Sequence, residues 1–150
     1  MKKFVFFLSA LFFVQFSFSQ EFLDPVKWDV SVEQESSNKY NILMTATIDE
    51  GWHVYSQKQF GEEFEGPIPT EFTYNASEST YKLLGATLEP EIQPIYDPVF
   101  EFDVVYFSDK VTFIQPIEVI KPEGLKIIAE VYYSVCDEEK CLPPDTKTFE

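Results

Sequence analysis

The sequence has no arginine, one histidine, two cysteines and five glycines among its 150 residues. Its 26 acidic residues outnumber 11 lysines, so the net charge of −15 excludes the cationic surface that nucleic acid or anionic lipid requires. Two cysteines and one histidine argue against a disulfide-dense scaffold and against a four-ligand structural zinc site. The 45% hydrophobic and 17% aromatic content excludes a disordered acidic chain and indicates one folded domain.

The first residues have the three-part pattern of a secretory signal. Two lysines precede an apolar run over residues 4–16, and small residues follow at Ser17 and Ser19. We therefore predict a cleaved signal peptide at residues 1–19 and a mature domain at 20–150. The alternative is a membrane anchor, but the run is shorter than the roughly 20 residues of a spanning helix, so no direct membrane insertion is expected after cleavage. The mature chain keeps 26 acidic residues and nine lysines, a net charge of −17.

Alternation of apolar and polar residues dominates the rest of the chain and is typical of half-buried strands. Long alternating runs cover residues 26–32, 40–48 and 125–135, and shorter ones cover 52–56, 71–74, 81–84, 103–107 and 111–117. No segment has a convincing helical period. The pattern predicts an all-β domain, an immunoglobulin-like antiparallel β-sandwich.

Two irregular stretches interrupt the predicted strands. Residues 57–70 are rich in glutamate, glycine and proline and are interpreted as a long acidic loop. Residues 89–102 combine three prolines with Tyr96, Phe100 and Phe102. Because a loop with so many aromatic residues is expected to pack against the domain, we predict that this second loop is ordered and functional.

The chemistry is concentrated near the C-terminus, where a predicted strand leads into Cys136 and four polar residues separate it from Cys141. A hairpin tip at this position could bring the two sulfurs within bonding distance. The pair is either a structural disulfide or a redox-active one. Asp137, Glu138 and Glu139 lie between the cysteines, and their charges disfavour the thiolate. A reduced pair should therefore have raised pKa values and react readily only when a partner docks.

These residues resemble a known family. A strand followed by Cys-x4-Cys-Leu-Pro-Pro in a secreted β-domain is similar to the N-terminal periplasmic domain of the thiol:disulfide interchange protein DsbD. The segment 51–57, Gly-Trp-His-Val-Tyr-Ser-Gln, resembles an early strand of that family. The segment 66–70, Gly-Pro-Ile-Pro-Thr, resembles its bacteroidete members, and residues 145–148 resemble the stretch after the two prolines.

The resemblance implies an immunoglobulin-like sandwich that needs no cofactor, with a redox-active hairpin and a cap loop. It implies a protein-disulfide reductase domain in the periplasm, which takes electrons from the thioredoxin-like domain of a membrane electron importer. The clients would be periplasmic thioredoxin-fold proteins, either a disulfide isomerase or a cytochrome c maturation reductant. Cys141 would form the mixed disulfides and Cys136 would resolve them.

The resemblance also assigns residues around the cysteines. The cap corresponds to the loop at residues 96–100, with Phe100 as the shield of the disulfide and with Asp97 and Tyr96 beside it. Asp137, Glu138, Glu139 and Pro143 would flank the site. The best-known members have five residues between the cysteines rather than four, and they continue into a membrane segment and a thioredoxin-like domain. Because the sequence ends at Glu150, we expect a stand-alone carrier or a fragment of a longer protein.

Two other functions stay open at this stage. One is a non-catalytic binding module whose disulfide only holds a hairpin, and the other is an adaptor that presents thiol proteins without exchanging electrons. His53, the single histidine, lies far from the cysteines in the sequence and is interpreted as a packed or exposed residue. Trp28 and Trp52 are assigned to the core.

Overall fold

In the computed structural model, the described residues are 23–62, 65–77 and 79–150, and they form strands without a helix. The predicted signal peptide at residues 1–19 lies outside them. The strands are β1 (Val26–Gln34), β2 (Lys39–Ile48), β3 (His53–Tyr55), β4 (Glu71–Tyr74), β5 (Tyr81–Leu83), β6 (Ile95–Asp97), β7 (Phe102–Val104), β8 (Tyr106–Phe107), β9 (Lys110–Val119), β10 (Ala129–Tyr133), β11 (Val135–Cys136) and β12 (Asp145–Phe149). In this part of the chain, no helix has the length and apolar character needed to cross a membrane.

The largest sheet has four antiparallel strands in the order β1-β2-β9-β5. Alternate residues of its central strands point into the core, as the period-two pattern predicts. In β2 the buried residues include Met44 and Ala46, and in β9 they include Val111 and Phe113. The register places Met44 opposite Phe113, so the two strands contribute neighbouring side chains to one apolar layer.

A second antiparallel sheet, in the order β12-β10-β4, packs against the first. Trp28 joins the two sheets through aromatic contacts with Phe113 of the first and with Phe72 and Tyr133 of the second, at centroid distances of 6.0, 6.1 and 5.4 Å. Trp52 also packs against this core. The immunoglobulin-like antiparallel β-sandwich and the assignment of both tryptophans to the core are therefore confirmed.

Two smaller units lie beside the sandwich and position the cysteines. Strands β11, β3 and β8 form a short antiparallel sheet, in which β3 is central. Strands β6 and β7 pair with each other as a two-stranded ribbon, with Ile95 opposite Val104 and Asp97 opposite Phe102. We call residues 95–104 the cap ribbon and residues 135–142 the cysteine hairpin.

The structure differs from the predicted strands in several places. The predicted run 125–135 is divided at Ser134 between β10 and β11, and β12 was not predicted. Residues 125–128 are not part of a strand; the amide of Ile128 donates to the side chain of Asn75, and its carbonyl accepts from the amide of Asn75. The predicted strand 103–107 is divided at Val105, where the chain leaves the cap ribbon and joins β3. The aromatic loop at 89–102 contains strand β6 and the start of β7. These strands were not predicted, because the prolines in this stretch are typical of loops.

Candidate functional site

The cysteine hairpin carries a disulfide between Cys136 and Cys141, whose Cα atoms lie 4.0 Å apart. Backbone hydrogen bonds close the hairpin on both sides of this bond. The amide of Asp137 donates to the carbonyl of Lys140 at 2.9 Å, and the amide of Leu142 donates to the carbonyl of Val135 at 2.9 Å. These bonds hold the two chain segments together independently of the sulfur–sulfur bond.

Asp137 shapes the tip of the hairpin. Its Oδ1 accepts hydrogen bonds from the amides of Glu139 and Lys140, both at 2.8 Å. An aspartate that binds amides two and three residues ahead builds the local turn itself, which explains why this residue type follows Cys136. The amide of Glu139 is the main cause that lowers the pKa of the Asp137 carboxyl.

The two cysteines differ in accessibility. Cys136 is 0% exposed and belongs to an apolar cluster with Tyr55 and Val104. Cys141 lies on the other arm of the hairpin and is exposed to solvent. Cys141 is therefore the half of the disulfide that faces solvent, whereas Cys136 lies inside the domain. Attack on a disulfide depends on which sulfur is accessible, so this arrangement favours attack at Cys141 over attack at Cys136.

A chain of three polar side chains lies next to the buried cysteine. His53 is directly opposite Cys136 in the register of β3 and β11, and its side chain is almost fully buried. Its Nε2 lies 3.0 Å from the hydroxyl of Tyr55, which donates to Oδ2 of Asp97 at 2.7 Å. His53 Nε2 and Asp97 Oδ2 are 3.8 Å apart. We call these three residues the polar chain.

Burial is the largest influence on the pKa values of His53 and Tyr55 in the polar chain. Desolvation lowers the pKa of His53, and the negative charges of Asp97, Asp137 and Glu138 offset only part of this effect. Burial, followed by the hydrogen bond to Asp97, raises the pKa of Tyr55 far above its ordinary value. At neutral pH the histidine is therefore mainly uncharged and the tyrosine keeps its proton.

The cap ribbon is held to the polar chain by Asp97, which is 1% exposed. While Oδ2 binds Tyr55, Oδ1 accepts hydrogen bonds from the amides of Val99 and Phe100, at 2.8 and 3.3 Å. The amide of Glu101 donates to the carbonyl of Asp97 at 2.8 Å and closes the turn. One carboxylate thus folds the tip of the ribbon and fixes it to β3.

The aromatic residues of the cap ribbon have different surroundings. Phe100 is partly buried and packs against the cluster that contains Cys136 and Tyr55, with its ring 5.8 Å from that of Tyr55. Tyr96 is 59% exposed and points away from this cluster into solvent. Of these two residues only Phe100 packs against the cluster that contains Cys136, and Phe102 of the cap ribbon packs against the same cluster.

A cleft of about 250 Å³ opens between the cap ribbon and the cysteine hairpin. Its walls include His53, Asp97, Tyr106 and Glu138, with Tyr96 at its edge. The ring of Tyr106 lies over the imidazole at a centroid distance of 4.2 Å and a tilt of 30°. The cleft therefore connects the buried histidine with solvent on the side of the acidic hairpin.

The predicted site residues come together, with some differences in placement. Phe100 packs against the cluster that contains Cys136, and Asp97 binds Tyr55 of that cluster, whereas Glu138, Glu139 and Pro143 are exposed around the hairpin. The sequence analysis missed Tyr55 and left His53 outside the site. Their spacing of two residues on one strand places both side chains on the same face, and that signal could have linked them to Asp97.

Comparison with known proteins gives a family and two similar solved structures. The family model for the N-terminal domain of the thiol:disulfide interchange protein DsbD matches residues 19–150. The reduced DsbD N-terminal domain of Neisseria meningitidis is 15% identical, with a TM-score of 0.46 over 83% of this chain and 82% of that one. The yeast GGA1 GAE domain is 11% identical, with a TM-score of 0.46 over 87% of this chain and 94% of that one. No curated protein matches this sequence significantly. Since the family model covers nearly all of the sequence, the chain belongs to the family of DsbD N-terminal domains.

Proposed function

We propose that this domain carries reducing equivalents through the Cys136–Cys141 pair by thiol:disulfide exchange in the periplasm. The donor is the thioredoxin-like domain of a membrane electron importer, and the clients are thioredoxin-fold proteins such as a disulfide isomerase or a cytochrome c maturation reductant. One observation carries the proposal: the disulfide joins a fully buried sulfur to an accessible one.

The unequal exposure supports a distinct role for each cysteine in each half of the cycle. A donor thiolate attacks Cys141 Sγ, the Cys136–Cys141 bond breaks, and Cys136 leaves with the electron pair. A second donor thiol then releases Cys141, and the donor is oxidised to a disulfide. In the other half, the Cys141 thiolate attacks a client disulfide, and Cys136 attacks Cys141 Sγ to release the reduced client.

The cap residues restrict access to this chemistry. Phe100 packs against the cluster around Cys136, and Asp97 holds the turn that carries it. We assign Phe100 as the shield of the disulfide, Asp97 as its support and Tyr96 as an exposed contact for a partner. Asp137, Glu138, Glu139 and Pro143 form the surface that a partner meets around Cys141.

The competing function is a binding module with a purely structural disulfide. Closing a six-residue ring contributes only about 2 kcal/mol in the chain-entropy model, against about 4.7 kcal/mol for a ring of 100 residues. The hairpin also has its own backbone and Asp137 hydrogen bonds. A disulfide placed here adds less stability than one that joins distant segments, which supports the redox function over the structural one.

The decisive experiment traps the exchange intermediate. A Cys136→Ala variant retains the accessible thiol but cannot resolve a mixed disulfide, so it should accumulate a covalent complex with an oxidised thioredoxin-fold protein. The Cys141→Ala variant is the matched control, because its remaining thiol is buried, and it should trap at least tenfold less. Non-reducing electrophoresis and mass spectrometry measure both complexes.

The opposite result would favour the structural disulfide. Equal trapping by the two variants, or no trapping with several thioredoxin-fold proteins, would contradict the assigned roles. A reduction potential of the native pair well below about −300 mV would also contradict them, since such disulfides resist reduction by cellular thiols.

A further inference from the structure

We propose that His53 is the proton acceptor and donor for the buried thiol of Cys136 during exchange. This inference rests on the proposed function and deepens it, because it assigns a proton-transfer residue to the cysteine that solvent does not reach. The geometry that supports it is the cross-strand pairing of these two residues beside the polar chain.

The first step of the argument is proximity. His53 and Cys136 are direct partners of antiparallel strands β3 and β11, and such partners have Cβ atoms about 4.5–5.5 Å apart on the same face of the sheet. Both residues are buried, at 9% and 0% exposure. This spacing leaves room for a hydrogen bond between an imidazole nitrogen and a cysteine sulfur once the disulfide is open.

The second step is the position of the imidazole proton. The Tyr55 hydroxyl has a single proton and donates it to Asp97, so its oxygen can only accept from His53. His53 Nε2, at 3.0 Å from that oxygen, must then carry the ring proton. In the neutral imidazole this leaves Nδ1 as the basic nitrogen, and Nδ1 makes no hydrogen bond to any residue that the structure describes.

The third step is the balance of charges around the ring. Asp97 and Tyr55 face it through the polar chain, Tyr106 of β8 stacks on it, and Asp137 and Glu138 approach from the cysteine hairpin. Burial keeps the imidazole neutral at pH 7, as a proton acceptor must be, while the acidic groups stabilise the imidazolium that forms transiently. Those same acidic groups oppose the thiolate of Cys136, which therefore needs a nearby base.

The step balances in protons and electrons. In the mixed disulfide, the Cys136 thiol passes its proton to neutral His53 as its sulfur attacks Cys141 Sγ. The Cys136–Cys141 bond forms, the bond between Cys141 and the client breaks, and the client leaves as a thiolate with the electron pair. In the reverse direction, a donor thiolate attacks Cys141 and the departing sulfur of Cys136 takes the proton from the His53 imidazolium.

The test uses glutathione disulfide as the client and measures resolution of the mixed disulfide between pH 5.5 and 8.5. His53→Gln retains an N–H donor for Tyr55 but lacks a basic nitrogen. It should slow resolution about tenfold or more at pH 7 and abolish the inflection that His53 causes in the wild-type profile. The alkylation rate of Cys141 should be unchanged, because that thiol is exposed and does not depend on the buried base.

A second measurement needs no variant. His53 is the only histidine, so its imidazole resonances are unambiguous, and their titration in the reduced domain should coincide with the inflection in the wild-type resolution rate. Equal resolution rates for the wild type and His53→Gln, or an inflection unrelated to the titration, would refute the role of His53. A wild-type domain that forms no mixed disulfide either with glutathione or with an oxidised thioredoxin-fold protein would instead refute the proposed function, and this inference with it.

Discussion

The hydroxyl of Tyr55 is the link between β3 and the cap ribbon, so its removal tests how the site is assembled. In the variant Tyr55→Phe, the ring still fills its buried position, but Oδ2 of Asp97 loses a donor at 2.7 Å. A hydrogen bond to a charged group contributes about 1.5–3 kcal/mol. The other carboxylate oxygen keeps its two amide donors, which limits the loss. We therefore expect the free energy of unfolding to fall by about 2 kcal/mol.

Urea denaturation of the oxidised domain measures this change. With a slope of about 1.5 kcal/mol per molar urea, the midpoint should fall by about 1.3 M. The matched control is Tyr106→Phe, because Tyr106 stacks on His53 and its hydroxyl makes no hydrogen bond within the described residues. This control should change the free energy of unfolding by at most about 0.5 kcal/mol. If Tyr55→Phe were no more destabilising than Tyr106→Phe, the polar chain would not hold the cap ribbon in place.

Two further predictions concern acidity and the hairpin. Folding lowers the pKa of His53 below its ordinary value of about 6.5. Between the folded and the unfolded pKa, the unfolded chain therefore binds an additional proton, and the free energy of unfolding falls as the pH falls. For this single group, the free energy of unfolding changes by at most about 1.4 kcal/mol per pH unit. Urea titrations of the wild type and His53→Gln at each pH should show this slope in the difference between their free energies of unfolding. Asp137→Ala should make the disulfide easier to reduce, because the turn that keeps the thiols together is lost. Asp137→Asn should retain the wild-type equilibrium with glutathione, since its side-chain oxygen still accepts the two amides.

Each of these predictions has a contrary outcome. If the pH dependence of stability were the same in wild type and His53→Gln, protonation of His53 would not be coupled to folding. If Asp137→Ala and Asp137→Asn shifted the glutathione equilibrium equally, the charge of Asp137 rather than its hydrogen bonds would control the disulfide.

The sandwich was predictable because its long strands bury alternate residues over their whole length. In β2 and β9, the pattern of buried Met44 and Phe113 between more exposed neighbours can be read from the sequence alone. The redox hairpin was predictable for a different reason, since two cysteines with an aspartate after the first define a short turn. Both features depend on interactions between residues that are close in the sequence or that share one simple period.

The polar chain was not predictable in the same way. Tyr55 and Asp97 are 42 residues apart, and their hydrogen bond exists only because the cap ribbon folds over β3. Single-sequence reasoning identified Asp97 and Phe100 through family resemblance, yet it had no means of pairing His53 with Cys136 across two strands of two and three residues. Tertiary packing sets the partners of such short strands, and each strand has too few residues for the alternation of apolar and polar residues to be recognised.

The backbone bonds on either side of the disulfide affect how often the domain can be used. Because the bonds from Asp137 to Lys140 and from Leu142 to Val135 do not involve sulfur, we expect the hairpin to stay closed when the disulfide is broken. In the proposed exchange cycle, each turnover would then need neither refolding nor a search of one thiol for the other. The duration of a cycle would be set by encounters with donor and client, so the throughput of the carrier should follow the abundance of its partners.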